Sequence, residues 1–208
     1  MSKVGLNSVA KAGLQSVIGG TNAPASALGP YSIVPFEDDL RKTYQQCSYV
    51  ESPLTGNIYF NISLEHQEVS ENCITWSHDY TGDIYWINDE DLCVLLTMPG
   101  DTSAFYFYAQ PRGESIHTIT ASAYDGINCL EQISQEVNGN SGACYFGFYG
   151  TDGSAINKIY IRSDASYAIG EFGISMLPAP EAFLLGNIGI CAVLELMRHK
   201  ILKRESLN

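Results

Sequence analysis

Basic residues are scarce in this 208-residue sequence, where 11 lysines and arginines face 23 acidic residues and the formal net charge is −12. Residues 28–177 hold most of the imbalance, with 20 acidic residues against five basic ones. A body this anionic repels phosphate backbones, and the sequence has no Lys/Arg stripe of the kind that binds them. The sequence therefore disfavours nucleic acid as a partner, and it favours cations or neutral glycans as ligands.

Two further patterns are missing. Between the apolar segments of residues 28–177 there is no apolar pattern with the 3.6-residue period of a helix. This argues against an α/β fold. The first 27 residues are small, polar and rich in Gly, Ala and Ser. They lack the apolar run of about 7–15 residues that a secretory signal requires. We therefore predict a flexible leader over residues 1–27 and find no signal peptide in it.

Cys-x-x-Cys pairs are also absent, although the chain contains six cysteines. Without that spacing, the pattern indicates neither a zinc site nor a redox motif. Five of the six lie in residues 28–177, and this odd number leaves at least one thiol there without a partner in the same segment. Scattered buried thiols and one or two disulfides are both compatible with the sequence.

The residues that are abundant are typical of short strands and tight turns: 19 Gly, 13 Tyr and 8 Phe, with only 16% charged residues. Short apolar or alternating segments recur between turns rich in Gly, Asn, Asp and Pro. We predict an all-β protein, an antiparallel two-sheet β-sandwich of jelly-roll type over residues 28–177. The nine candidate strands are residues 57–63, 83–87, 92–98, 103–110, 115–124, 129–137, 143–150, 156–163 and 167–175.

Alternation within these strands separates Phe from Tyr. In residues 103–110 and 143–150, Phe points to one face and Tyr to the other, which predicts a Phe core and an outer Tyr face. Exposed aromatic rings hold sugar rings in many sandwiches, through CH–π contact and the phenol hydroxyl. The alternative is that Tyr is a good strand former whose ring packs across the pleat. The candidate glycan platform consists of Tyr106, Tyr108, Tyr145 and Tyr149.

The sequence WSHDY places Ser77, His78 and Asp79 side by side. Neighbouring residues cannot align a hydroxyl, an imidazole and a carboxylate in one line of hydrogen bonds, so this run is not a catalytic triad. We interpret His78 and Asp79 as a turn with a local hydrogen bond. Since no other convergent nucleophile and base are visible, we predict no catalytic residues and no enzymatic activity.

Acidic residues cluster in the sequence FEDDL, where Glu37, Asp38 and Asp39 are adjacent. If the first and last strands are neighbours, Glu171 of the last strand can join them. Hard cations such as Ca²⁺ bind where several carboxylate and carbonyl oxygens converge, which makes these four residues a candidate Ca²⁺ site. The alternative is a solvated acidic loop. The sequence indicates no other cofactor.

The carboxy-terminal segment, residues 178–208, has a different character. Pro178 and Pro180 end the last strand, and a mostly apolar stretch follows over residues 182–197. This stretch predicts a hydrophobic α-helix that anchors the chain in a membrane, with its basic end on the cytoplasmic side. A helix docked on the body or on a partner is the alternative. The flanking basic residues are Arg198, Lys200, Lys203 and Arg204.

This arrangement resembles the sorting signal of bacterial PEP-CTERM proteins: a Pro-Glu-Pro type motif, a hydrophobic helix and a basic cluster. The motif here is a permuted one, Pro178-Ala179-Pro180-Glu181. The body is similar to the sandwich domains of such proteins, in segments such as TWSHDYTGDIYW and TMPGDTSAFYFYAQP. The resemblance implies an exported, non-catalytic cell-surface or extracellular-matrix protein, held in the membrane at least transiently and processed by an exosortase-type membrane protease. Polysaccharide is the candidate ligand in that role; a soluble carbohydrate- or Ca²⁺-binding module without a membrane role is the alternative.

Overall fold

The computed structural model describes residues 13–69, 75–88 and 92–177. Its regular structure in these residues is β-strand, and the strand pairs are antiparallel. In chain order the strands are β1 (Gly13–Ile18), β2 (Ala27–Leu28), β3 (Tyr31–Ser32), β4 (Val34–Pro35), β5 (Gln46–Glu51), β6 (Asn57–Glu68), β7 (Asp83–Ile87), β8 (Cys93–Thr97), β9 (Thr102–Pro111), β10 (Ile116–Asp125), β11 (Asn128–Asn138), β12 (Cys144–Thr151), β13 (Lys158–Ser163) and β14 (Tyr167–Met176).

Twelve of these strands form one continuous sheet. Its order is β1-β12-β9-β14-β7-β6-β8-β13-β10-β11, with β4 beside β14 and β5 beside β6, while β2 and β3 pair separately. The long strand β6 connects two halves, because residues 65–68 pair with β7 whereas Tyr59 and Phe60 pair with β8. The predicted all-β, antiparallel fold is confirmed, and each of the nine predicted strands coincides with one of β6 to β14.

The main hydrophobic core lies between the two halves of the sheet. Phe105 and Phe107 of β9 share this core with Ile119 of β10 and Ile161 of β13, and all four side chains are fully buried. Phe107 also stacks on Phe146 of the neighbouring strand β12, with ring centroids 5.2 Å apart and planes within 6°. The halves therefore pack face to face as a sandwich; the jelly-roll type stays a prediction.

Strand β1 lies inside the segment that we predicted to be a flexible leader, so that prediction is wrong for residues 13–18. The strand pairs with β12 from Gly13 opposite Thr151 to Ile18 opposite Phe146. Leu14 is 3% exposed and belongs to the main core. The segment is ordered by pairing with a strand about 130 residues further along the chain, and local sequence pattern cannot reveal such pairing.

By its internal contacts the chain divides into a unit that ends at Met176 and a second unit that begins at Leu177. The sorting motif, the hydrophobic helix and the basic residues predicted for 178–208 lie outside the described residues. Within residues 13–69, 75–88 and 92–177, no helix is long and apolar enough to cross a membrane. The four cysteines of the described segments, Cys47, Cys93, Cys129 and Cys144, are free thiols.

Candidate functional site

The tyrosines of β9 and β12 point away from the Phe core, as alternation predicts, but they are not exposed. Tyr106, Tyr108 and Tyr145 are 2%, 0% and 9% exposed, and together with Leu28 they form a second hydrophobic cluster. The half-buried Tyr149 packs against this cluster. The prediction of an exposed glycan platform at these four residues is therefore wrong, and the alternative of tyrosines packed across the pleat is correct here.

The chain between β1 and β4 covers the tyrosine face. Leu28 packs directly in the cluster, with Tyr31 and Ile33 against it. The cover also satisfies polar groups of the face, since the Tyr108 hydroxyl donates a hydrogen bond to the Asn22 carbonyl at 2.5 Å. Burying several large rings in this way removes apolar area from water, at about 25 cal/mol per Å². This covering segment follows β1 in the chain. It explains why the tyrosines are inaccessible.

Residues 76–80 form the turn that the sequence predicts, closed by a hydrogen bond from the Tyr80 amide to the Ser77 carbonyl at 3.1 Å. His78 and Asp79 have positive φ values of 43° and 60°. The Ser77 hydroxyl donates to the Ala143 carbonyl, while the imidazole of His78 contacts Glu171 instead. Ser77 and His78 thus point to different partners, and the three neighbouring side chains do not form a triad.

Glu171 connects this turn to strand β14. It occupies a bulge with φ +51°, a conformation that is uncommon for a residue with a side chain. Its carboxylate lies 2.5 Å from His78 Nε2 and accepts a hydrogen bond from Trp76 Nε1 at 3.2 Å. Burial raises the pKa of the Glu171 carboxyl, and the contacts with His78 and Trp76 oppose that rise. Glu171 therefore positions the indole ring of Trp76.

The predicted acidic residues do come together, around a cleft of about 550 Å³. Strand β4 pairs with β14, with Val34 opposite Ile174, and this pairing places FEDDL beside the last strand as the prediction required. The cleft is lined by carboxylates and by aromatic rings. Its lining includes Glu37, Asp38, Asp39, Asp83 and Glu171, together with Tyr49, Tyr80, Tyr85 and Phe172.

Protein groups already hold the deeper carboxylates of this acidic cleft. Asp39 contacts the Arg41 guanidinium at 2.5 Å and accepts a hydrogen bond from the Tyr85 hydroxyl at 2.9 Å. Asp83 lies 2.6 Å from Nε2 of the buried His66. Across the parts of the chain that the structure describes, no three acidic, histidine or cysteine side chains are grouped as metal ligands. The geometry therefore gives no support to Ca²⁺ binding by Glu37, Asp38, Asp39 and Glu171.

A second cavity, of about 240 Å³, is lined by both tryptophans of the chain, Trp76 and Trp86. We call it the tryptophan pocket. Its polar lining comes from Thr75, Gln110, Arg112 and Asn140. Among the described residues that line it, Arg112 is the only charged one. The two cavities therefore differ in chemistry, since the acidic cleft is rich in carboxylates and the tryptophan pocket is aromatic with one cation.

The floor of the tryptophan pocket is a row of residues across three adjacent strands. Ala168 of β14 is opposite Trp86 of β7 on one side and opposite Gln110 of β9 on the other. Residues opposite each other in register share a face, here the same face as the tyrosines. Because Ala168 carries only a methyl group, it leaves space between the indole of Trp86 and the amide of Gln110.

Two glycine-containing loops form one side of the pocket. A Cβ at Gly139 would lie 1.9 Å from the Gly113 carbonyl oxygen, so the two loops can approach this closely only with glycine at that position. Gln110 Nε2 donates a hydrogen bond to the Gly139 carbonyl at 2.5 Å. This bond fixes the amide plane of Gln110 and thereby the direction of its oxygen.

Two polar atoms of the pocket lining have no hydrogen-bond partner among the described residues, the indole nitrogen of Trp86 and the amide oxygen of Gln110. Gln110 is only 6% exposed. A buried donor or acceptor without a partner costs about 1–3 kcal/mol, so native proteins rarely retain one without a role. The lining residues of the tryptophan pocket thus combine aromatic rings with one unpaired donor and one unpaired acceptor, both of them buried.

Sequence reasoning missed Trp76, Trp86 and Gln110 as site residues. One signal was available, because the chain has only two tryptophans and both lie in the short sequence TWSHDYTGDIYW. Tryptophan combines a large apolar face with a polar N–H and is enriched where proteins bind partners. No comparable signal marks Gln110, whose position beside Trp86 depends on the order of strands β9, β14 and β7.

No protein-family model and no curated protein matches this sequence. Among solved structures, the chain is similar to the CBM22-1 xylan-binding domain of Xyn10C from Paenibacillus barcinonensis, at 14% identity over 62% of this chain and 91% of that chain, with a TM-score of 0.38. It is also similar to TmCBM61 in complex with β-1,4-galactotriose, at 11% identity over 66% and 100% of the two chains, with a TM-score of 0.29.

A third neighbour is the enzymatically active domain of tailspike protein 4 from bacteriophage CBA120, at 14% identity over 58% of this chain, with a TM-score of 0.29. The matching part spans only 18% of that tailspike chain. Two of the three neighbours are carbohydrate-binding domains built as β-sandwiches. At TM-scores of this size the likeness carries no argument about function.

Proposed function

We propose that this protein is a non-catalytic carbohydrate-binding protein and that the tryptophan pocket is its binding site. The observation that supports this most strongly is the conjunction of two tryptophans with a free indole N–H and a free, buried amide oxygen. Aromatic faces attract the CH groups of sugar rings, and sparse polar groups in an apolar pocket fix the orientation of a ligand. A sugar hydroxyl both donates and accepts, so one ring can satisfy both free atoms.

The size of the tryptophan pocket limits the ligand. Its volume of about 240 Å³ is below the roughly 300–1,000 Å³ of pockets that enclose drug-sized ligands. One sugar ring is therefore the unit that it holds, as a chain end or a side branch. Along an extended polysaccharide, the remaining rings lie outside the pocket.

A glycan array with the full chain tests this proposal. We expect binding to at least one class of glycan, and we expect Trp86→Ala to abolish it because the ring and its N–H are both lost. Tyr59→Ala is the matched control, since Tyr59 is a half-exposed aromatic residue of β6 that does not line the pocket. A glycan signal that survives Trp86→Ala would argue against the tryptophan pocket as the site.

We also propose that the carboxy-terminal segment displays this binding domain at the cell surface. The support comes from the sequence alone: the Pro178-to-Glu181 motif, the apolar stretch and the basic end. In this role the chain is an exported protein that is membrane-held at least transiently and processed by an exosortase-type membrane protease. Polysaccharide would be the ligand that it binds there.

Membrane fractionation of the full chain and of a version ending at Leu177 tests the display role. This truncation keeps β14 complete, since that strand ends at Met176. We expect the full chain in the membrane fraction and the shortened chain in the soluble fraction. If both versions remain soluble, the anchor role fails, while the binding role of the tryptophan pocket is unaffected.

A further inference from the structure

We propose that the tryptophan pocket selects a sugar residue that carries a carboxylate, a uronic acid, and that Arg112 is the residue that recognises it. The inference rests on the proposed function, since it names the class of sugar that the same pocket takes. It differs from the expectation drawn from net charge, which favours neutral glycans for the chain as a whole.

The charge around the pocket is opposite to that of the rest of the body. Residues 28–177 carry 20 acidic residues, and six of these line the acidic cleft. Among its described lining residues, the tryptophan pocket has no carboxylate and has Arg112. An anionic ligand is repelled by most of this protein, so a pocket whose described lining carries a cation and no carboxylate favours its binding.

Arg112 is available for a ligand. The ion pairs formed within residues 13–69, 75–88 and 92–177 involve Arg41 and three histidines, and Arg112 is in none of them. Arg112 is an exposed residue, so its guanidinium is solvated in the free protein. A guanidinium that faces no carboxylate can offer its parallel N–H groups to the two oxygens of a ligand carboxylate.

The backbone of Arg112 is held at a fixed place beside the pocket. Its amide donates a hydrogen bond to the Ser166 carbonyl at 2.8 Å, directly after Pro111, which is opposite Tyr167 in the register of β9 and β14. The next residue, Gly113, has φ +94° and turns the chain away. The sheet therefore fixes the backbone from which the exposed Arg112 side chain extends.

The remaining polar atoms are consistent with an acidic sugar. The free N–H of Trp86 and the side-chain amide of Asn140 add donors to those of Arg112, whereas Gln110 Oε1 is the free acceptor. A carboxylate only accepts, so it needs donors, and the ring hydroxyls of the same sugar supply the donor that Gln110 requires. A uronic acid ring thus matches the donors of Arg112, Asn140 and Trp86 and the buried acceptor of Gln110.

A pair of matched probes tests this selection: methyl β-glucuronide and methyl β-glucoside, which share one ring and differ in the carboxylate. Binding to the full chain is followed by tryptophan fluorescence. We expect the glucuronide to bind about tenfold more tightly, the size of one charge-assisted hydrogen-bond pair. We expect Arg112→Gln to reduce its affinity to that of the glucoside and Arg112→Lys to retain only part of the difference. We expect added salt to lower the affinity for the glucuronide and to leave the affinity for the glucoside unchanged.

Arg162→Gln is the control, since Arg162 is an exposed arginine of β13 that does not line the pocket. Equal affinities for both probes, unchanged by Arg112→Gln, would overturn the inference and leave the carbohydrate-binding proposal intact. Glucose 6-sulfate bound as tightly as the glucuronide would overturn the assignment to carboxylates. The absence of binding to these probes and to every glycan of the array would overturn the proposed function itself.

Discussion

The two tryptophans of this chain are in opposite hydrogen-bonding states. Trp76 donates its indole N–H to the Glu171 carboxylate at 3.2 Å, whereas the buried Trp86 N–H has no partner in the described part of the chain. Both rings line the same pocket. At the residue scale, we therefore assign Trp76 a structural role in the wall of the pocket. We assign Trp86 a role in binding the proposed ligand.

Replacing each tryptophan with phenylalanine separates these assignments in the free protein. Both changes lose similar ring area, but Trp76→Phe also leaves a half-buried carboxylate oxygen without its donor. We expect Trp76→Phe to lower the free energy of unfolding by about 1–3 kcal/mol more than Trp86→Phe does. Urea denaturation of both variants measures the difference. Equal losses would show that the Trp76–Glu171 bond contributes nothing to stability.

At the scale of the single element, strand β1 is the clearest departure from the sequence-based prediction. Its segment GLQSVI is short and half polar, and nothing in it distinguishes a strand from a flexible leader. Pairing with the edge of β12 and burial of Leu14 stabilise it. The strands β6 to β14 were predictable because each carries its own apolar pattern, while β1 depends on a distant partner.

The buried Leu14 provides a test of β1. Because Leu14 is 3% exposed within the main core, we expect Leu14→Ala to cost about 2–5 kcal/mol of unfolding free energy. Val17→Ala is the matched control on the same strand, where the side chain is 39% exposed and the expected loss is within about 0.5 kcal/mol. Urea denaturation measures both. A loss at Leu14 no larger than that at Val17 would contradict the presence of an ordered β1.

The bulge in β14 makes stability depend on pH through Glu171. Burial raises the pKa of this carboxyl in the folded protein above its unfolded value. A raised pKa means that the group's stabilising contribution is complete below the unfolded pKa and is lost as pH rises through the folded pKa. Glu171→Gln removes this titration. We therefore expect the unfolding free energy of the unmodified protein to fall relative to that of Glu171→Gln as pH rises.

Thermal or urea unfolding of both proteins, from about pH 4 to about pH 7, measures this difference. Ionisable groups that both proteins share and that do not contact Glu171 contribute equally to both curves, so the comparison isolates residue 171 and its neighbours. Glutamine keeps an oxygen that can accept from Trp76, so the wall of the pocket is retained. A difference that stays constant over this pH range would show that Glu171 is ionised alike in the folded and unfolded chains.

At the scale of the whole molecule, the sequence predicted the architecture better than the site. Alternating Phe and Tyr correctly placed the main core and the opposite face of the sheet. The tyrosines were candidates because of their chemistry, and they are buried because residues 19–33 fold over them, which strand patterns cannot show. The acidic cluster was correctly placed beside Glu171, yet internal partners hold its deeper carboxylates.

The tryptophan pocket could not be derived from the sequence for a related reason. Its floor requires Trp86, Ala168 and Gln110 to be opposite one another on three strands that are distant in the chain. The tyrosine face that we predicted as a platform continues along the sheet into this floor. The sequence-based prediction therefore named the face on which the proposed site lies, but it named other residues of that face.

The most direct test of a sugar ring bound in the tryptophan pocket is the pair of indole N–H resonances in an NMR titration. The chain has only two tryptophans, so two such signals are present and Trp86→Phe assigns them. On addition of a glycan selected by the array, we predict a saturable shift of the Trp86 signal as its free N–H gains an oxygen partner. Saturable shifts elsewhere with an unmoved Trp86 signal would contradict the account.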